Sequence, residues 1–174
     1  DLKGHHPPCL VYNRPNAPCD LSAYQLGSNG ALFSPQGGLR ISAKDLATIG
    51  QMLLNSGRHG GRRFLRKSSV DRLLKPIWHY NGHNGATEQG FYCRYGLASQ
   101  ILATAEKGCR DLPKVPGAGP YNWVGHAGEA YGLRSGFWID RKAKVGLIYY
   151  TTGLGDAEQQ VPGQSAFVAA EEAG

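Results

Sequence analysis

The chain has 174 residues, with 19 Lys and Arg against 13 Asp and Glu, and so a formal charge of +6. That length fits one domain with a sizeable core, and a composition 18% charged and 10% aromatic excludes a disordered polyelectrolyte. No apolar run approaches the ~20 residues that span a bilayer, and no apolar segment follows Asp1 that would serve as a signal peptide.

Residues 1–38 are rich in Pro, Gly, Asn and Ser and read as an irregular lead-in. Two of the four cysteines, Cys9 and Cys19, fall here; Cys93 and Cys109 follow much later. Of the three possible pairings, two local bridges are the simplest. Each closes a loop of roughly 10–15 residues and stabilises by about 3 kcal/mol in the chain-entropy model. His5 and His6 ahead of Cys9 raise zinc as a rival, but the spacing lacks two paired ligand sets, so no metal is expected. Disulfides predict an oxidising compartment, periplasmic or secreted.

The clearest helix comes next. Ser42 suits an N-cap, Asp45 favours the positive helix end, and Leu46, Ile49, Gly50 and Leu53 recur at helical spacing with Leu54 widening the face. Asn55-Ser56-Gly57 supplies the stop. Gly60 and Gly61 then predict a turn into a short extended piece, and Ser68 or Ser69 a second short helix through Leu74, ended by Pro76. Arg58, Arg62, Arg63, Arg66 and Lys67 form the densest basic group. They lack the interleaved aromatic residues of a stacking platform, so they read as a solvated loop and helix start, with no nucleic-acid partner. Residues 78–90 read as a loop, and Asn81-Gly82 argues against a helix presenting His79 and His83 together.

From Phe91 onward the pattern is that of strands. Residues 91–97 are aromatic-rich, and residues 121–125, 133–139 and 144–151 are three further strand candidates, the last two joined by residues 140–143. Ser165 to Ala173 reads as a terminal helix. The expected organisation is a single, partial domain over 1–174, with the lead-in at 1–38, a helical part at 39–90, and sheet plus terminal helix at 91–174.

Two stretches carry a resemblance. The first holds Ser34-Pro-Gln-Gly-Gly-Leu39, Ser42, Asp45-Leu46 and Met52-Leu53-Leu54; the second is Gly125-His126-Ala127-Gly128 followed by Gly132-Leu133-Arg134-Ser135-Gly136-Phe137. With Tyr95-Gly96-Leu97 between them, order and intervals over roughly 34–153 resemble the serine β-lactamase and penicillin-binding-protein superfamily. The likeness is to the branch of class C β-lactamases, D-Ala-D-Ala carboxypeptidases and related esterases. It implies an α+β fold, the C-terminal half of a β-lactamase/transpeptidase-like domain, in which helices flank an antiparallel sheet.

The resemblance also implies roles. His126 matches the Lys/His position of the third catalytic element, and Ala127 and Gly128 are small enough for substrate backbone to approach. The backbone N–H of Glu129 matches an oxyanion-hole position. Its carboxylate departs from the family's small or hydroxyl residue and would oppose an oxyanion unless it points away. Arg134 is the candidate for a substrate carboxylate. No cofactor is implied. The acylating Ser-x-x-Lys and the Tyr-x-Asn or Ser-x-Asn are missing: no serine has Lys three residues on. The sequence therefore reads as the C-terminal portion of a serine hydrolase for small peptides, β-lactams or esters, inactive until another segment or partner chain supplies the nucleophile. The alternative is a non-catalytic module that binds peptidoglycan peptides or a protein. Either leaves a sheet edge suited to the missing half or to a second copy of the chain.

Overall fold

A computed structural model describes residues 39, 41–102, 104, 106–112, 122–130 and 132–173. The chain divides into two compact units, Asp1–Ser42 and Ala43–Gly174. The second carries the elements described below; Cys9 and Cys19 lie outside the described residues.

Helix α1 spans Ala43–Leu54 and buries Gly50 and Leu53, two of the positions that the helical spacing marks as inward. It stops where the sequence predicts. Ser56 and Gly57 take positive φ values of 55° and 88°, and the Gly57 N–H returns 2.8 Å to the Met52 carbonyl. A two-residue hairpin follows, β1 (Arg58–His59) with β2 (Arg62–Arg63). Helix α2, Lys67–Leu73, begins one residue ahead of Ser68 and two ahead of Ser69, the expected caps. Extended Arg66 precedes it with no side-chain cap bond, which leaves Ser68 and Ser69 inside the first turn.

Six antiparallel strands form the main sheet in sequence order: β3 (Trp78–His79), β4 (Arg94–Tyr95), β5 (Gln100–Ile101), β6 (Val124–Ala130), β7 (Leu133–Asp140) and β8 (Val145–Thr151). Among the described residues β8 has only β7 as a strand neighbour. The long strands β6 to β8 carry the sheet, with Ala127 opposite Gly136 and Gly136 opposite Tyr149. Both faces are covered there, which is why Phe137, Trp138 and Ile139 of β7 are apolar in succession. Ile139 packs with Leu53 of α1 and Val70 of α2, joined by Phe137. Trp138, one residue between, packs on the other face with Leu102 and Phe167, joined by Ala127 and Tyr149. Gly50 lets α1 lie close, since a Cβ there would stand 3.4 Å from the Phe137 ring. This is an α+β fold with helices flanking an antiparallel sheet.

Several boundaries differ from expectation for identifiable reasons. The strand foreseen at 121–125 begins at Val124 and runs on through Ala130, because pairing with β7 along its full length outweighs the weak strand preference of Gly-His-Ala-Gly. The strand foreseen at 91–97 shortens to Arg94–Tyr95, since Glu88, Gln89 and Gly90 all take positive φ and turn the chain. The terminal helix shortens to α4, Ala169–Glu172. Ser165 Oγ accepts the Phe167 N–H at 3.1 Å, and the Glu172 carboxylate takes the N–H groups of Gln164 and Ser165. These local bonds replace the helical ladder there. A short helix α3, Asp156–Gln159, was not foreseen. Cys93 and Cys109 form a disulfide, one of the two local bridges that the spacing favours.

Candidate active site

His126 sits in the middle of β6, opposite Phe137. Its neighbour Ala127 faces the Trp138–Phe167 core, so alternation turns the imidazole toward the α1 side of the sheet, where it is exposed. Tyr95 of β4 reaches across, with its Oη 2.7 Å from His126 Nε2 and the two rings edge to face at 5.9 Å. The other ring nitrogen, Nδ1, contacts the Ala127 carbonyl. A carbonyl only accepts, so Nδ1 carries the proton in the neutral ring, Nε2 is an acceptor, and Tyr95 O–H donates to it. Burial, with the Tyr92 phenol nearby, pushes Tyr95 above the usual tyrosine range, so it stays a donor at neutral pH.

Tyr95 is fixed from behind. Cys93, two residues earlier, is fully buried and bridged to Cys109, and the Arg110 N–H bonds the Gly90 carbonyl at 2.9 Å. A Cβ on Gly96 would stand 2.6 Å from the Lys75 carbonyl, so the strand exit runs tight against the end of α2. The Tyr-Gly-Leu segment thus supplies a hydroxyl to His126 and a glycine where the backbone must pass closely. Tyr95 was not among the residues given a role from the sequence; its place in that segment was the available signal.

The remaining predicted residues separate into two groups. Ala127 and Gly128 follow His126 on the same strand, and Gly128 lies opposite Ser135, whose Oγ would be 2.4 Å from a Cβ placed there. Glu129 and Arg134 are a directly opposed pair, with Arg134 Nη1 donating to Glu129 Oε2 at 2.6 Å. Two residues on from Ala127, Glu129 shares its face and points away from His126. The carboxylate that seemed incompatible with an oxyanion site is therefore turned to the back of the sheet. Arg134, the candidate for a substrate carboxylate, goes with it and is paired there with Glu129. There Arg134 draws the Glu171 carboxyl down, against the burial that holds it above the usual carboxylate range. Burial pushes Tyr149, in the same cluster, up to about 12 with help from the Glu171 charge. His79 stands on β3 and His83 in the turn after it.

Asp140 anchors the far end of β7. Its Oδ2 accepts the Asn122 N–H at 2.7 Å ahead of β6, while Oδ1 accepts those of Lys142 and Ala143 at 2.7 and 2.9 Å in the β7–β8 turn. Burial alone would raise this carboxyl, but the N–H bonds outweigh it and hold it below its usual 3.8. A depressed carboxyl stabilises above the unfolded value and loses that contribution as pH falls through the folded one. Asp140→Ala should therefore cost about 1–3 kcal/mol at neutral pH, and the gap from wild type should close in acid below the folded value. Urea midpoints at the two pH values test this; an equal gap at both would refute it.

The β-lactamase family matches the chain over residues 4–170. This chain belongs to that family. Comparison with curated proteins and with solved structures gives no match. The family carries a serine-hydrolase-like fold, and the helix–sheet arrangement around His126 agrees with its C-terminal part. Among the described residues no helix is long and apolar enough to cross a membrane.

Proposed function

We propose that this chain is the C-terminal portion of a serine hydrolase of the β-lactamase, DD-peptidase or esterase type, acting on small peptides, β-lactams or esters. The observation that carries the proposal is the exposed imidazole of His126 on the α1 side of the sheet, held by Tyr95 and followed along the strand by two small residues. A Ser-x-x-Lys from another segment or partner chain would supply the nucleophile, because no serine in these 174 residues has Lys three positions on. In that setting Ala127 and Gly128 admit substrate backbone. The Glu129 N–H contributes to an oxyanion hole, and His126 orients or relays a proton. Arg134 serves the site by holding the Glu129 carboxylate away from it. We place the protein in the periplasm or outside the cell, where the Cys93–Cys109 bridge persists.

The test is covalent labelling of the protein in its native source with a fluorescent penicillin and a fluorophosphonate. A labelled species that contains this sequence, and that hydrolyses a chromogenic cephalosporin or a short-chain ester, is the expected result. A native form without reactive serine would overturn the proposal and leave the second reading, a non-catalytic module for peptidoglycan peptides or a protein partner, for which the absent Ser-x-x-Lys speaks.

A further inference from the structure

One end of the second unit carries the whole charge excess of the chain. Residues 46–70 contain no Asp or Glu, and among them fall Arg58, Arg62 and Arg63 of the β1–β2 hairpin, with Arg66 and Lys67 where α2 begins. The turn between β7 and β8 comes to the same end. Lys144 Nζ donates to the Leu54 carbonyl at the close of α1 at 2.8 Å, and Arg141 pairs with Asp71 of α2 at 2.8 Å. With Lys142, that turn brings the group to eight cations against two carboxylates, Asp71 and Asp140, a difference equal to the +6 of the chain. The other eleven cations are matched by eleven carboxylates. Both local carboxylates are spent, Asp71 between Lys67 and Arg141, and Asp140 on three backbone N–H groups. Among the described residues no carboxylate pairs with Arg58, Arg62, Arg63 or Arg66.

The hairpin that presents these charges is built and open. The Phe64 and Leu65 N–H groups both bond the carbonyl of buried Gly57, at 2.8 and 3.1 Å, and Arg63 Nη1 donates to the Ser56 and Leu65 carbonyls. Gly60 and Gly61, at φ 54° and 76°, close the tip, and nothing lies within 4 Å of a Cβ placed on either. Every residue from 60 to 69 is exposed, and Phe64 stands 58% open in the midst of the guanidinium groups, with Leu65 beside it. Apolar side chains among unpaired cations, on a protruding surface, suit a plane of phosphates over hydrocarbon. Guanidinium groups take the phosphates in pairs of hydrogen bonds, and Phe and Leu sit at the boundary of headgroup and acyl chain. Nucleic acid fits less well. Phe64 is the one Phe, Tyr or Trp in residues 58–67, and the Arg62 guanidinium lies 5.6 Å over its ring, where a base would stack. We propose that this end of the protein docks on an anionic lipid bilayer, with the arginines on lipid phosphates and Phe64 and Leu65 at headgroup level. The docking is independent of the hydrolase reading above.

The test is cosedimentation of the protein with vesicles of mixed phosphatidylglycerol and phosphatidylcholine, and of phosphatidylcholine alone. The protein should pellet with the mixed vesicles, stay in solution with the neutral ones, and be released by added salt. Each cation near such a surface multiplies partitioning by about fivefold, so the double variant Arg62→Gln/Arg66→Gln should bind about 25-fold more weakly and Lys142→Gln about fivefold. Among the described residues Arg58 and Arg63 hold hairpin carbonyls and Arg62 and Arg66 do not, so the double variant keeps the fold. Phe64→Ser should weaken binding severalfold and leave its salt dependence unchanged. Lys107→Gln, at an exposed position outside this end, should bind as the wild type does. No pelleting with the mixed vesicles, equal pelleting with the neutral ones, unchanged binding in Arg62→Gln/Arg66→Gln, or an equal loss in Lys107→Gln would overturn the proposal. So would equal affinity for soluble polyphosphate with no loss in Phe64→Ser, which would put an anionic polymer in place of the bilayer.

Discussion

Gly125→Ala should abolish cooperative folding of the sheet, with a loss above about 4 kcal/mol, a large share of the ~5–15 kcal/mol of an ordinary domain. Gly125 lies between Gln100 of β5 and Trp138 of β7, just before His126. An ideal Cβ there would be 1.7 Å from the Phe137 carbonyl oxygen and 2.8 Å from its carbon. Both are backbone atoms of the central strand, so no rotamer change relieves the collision. Two other glycines give the scale. At Gly128 the obstacle is Ser135 Oγ at 2.4 Å, the end of a side chain that can turn, so Gly128→Ala should cost far less. At Gly50, where the nearest atom is a Phe137 ring carbon at 3.4 Å, helix preference for Ala of about 1 kcal/mol offsets the tight contact. Denaturant melts of the three variants check the order. A Gly125→Ala protein that unfolds near the wild-type midpoint would show that β6 does not press on the Phe137 carbonyl.

That series bears on how much of the molecule the sequence discloses. Helix α1 is legible end to end, since Gly50 and Leu53 fall on its apolar period and Asn55-Ser56-Gly57 stops it. Strands β7 and β8 are legible for the same reason: their apolar and β-branched content is local information. Strand β6 is not. Its Gly-His-Ala-Gly core has little strand preference, and only pairing with β7 and the close approach at Gly125 make it extended. The resemblance located His126 where periodicity could not. Whether Glu129 and Arg134 face the same way as His126 depends on strand parity and cross-strand register. Once β6 is known to be a regular strand, parity sends Glu129 to the other face, and its bond to the opposed Arg134 accounts for both residues. Tyr95 was hidden for a different reason, because its 2.7 Å contact joins residues 31 apart across strands too short to announce themselves.

If the proposed hydrolase is assembled with a Ser-x-x-Lys segment, His126→Ala should lower its kcat/KM by about 10²–10⁴-fold, the range of a positioned proton-transfer group. Tyr95→Phe should lower it by roughly tenfold, as expected for loss of one orienting hydrogen bond to a working imidazole. The geometry makes a sharper demand on the pair. In the proposed hydrolase the Tyr95 hydroxyl acts only through His126 Nε2, and it fixes which nitrogen accepts while the Ala127 carbonyl holds Nδ1. With the imidazole gone, the phenol has nothing left to orient. The double variant should therefore be no slower than His126→Ala alone, a strong departure from additivity of the kind shown by residues that act as one unit. Additive losses would mean that Tyr95 meets the substrate independently. An unchanged rate in His126→Ala would mean that the exposed imidazole takes no part, and the wall of the cleft would then act only by its shape.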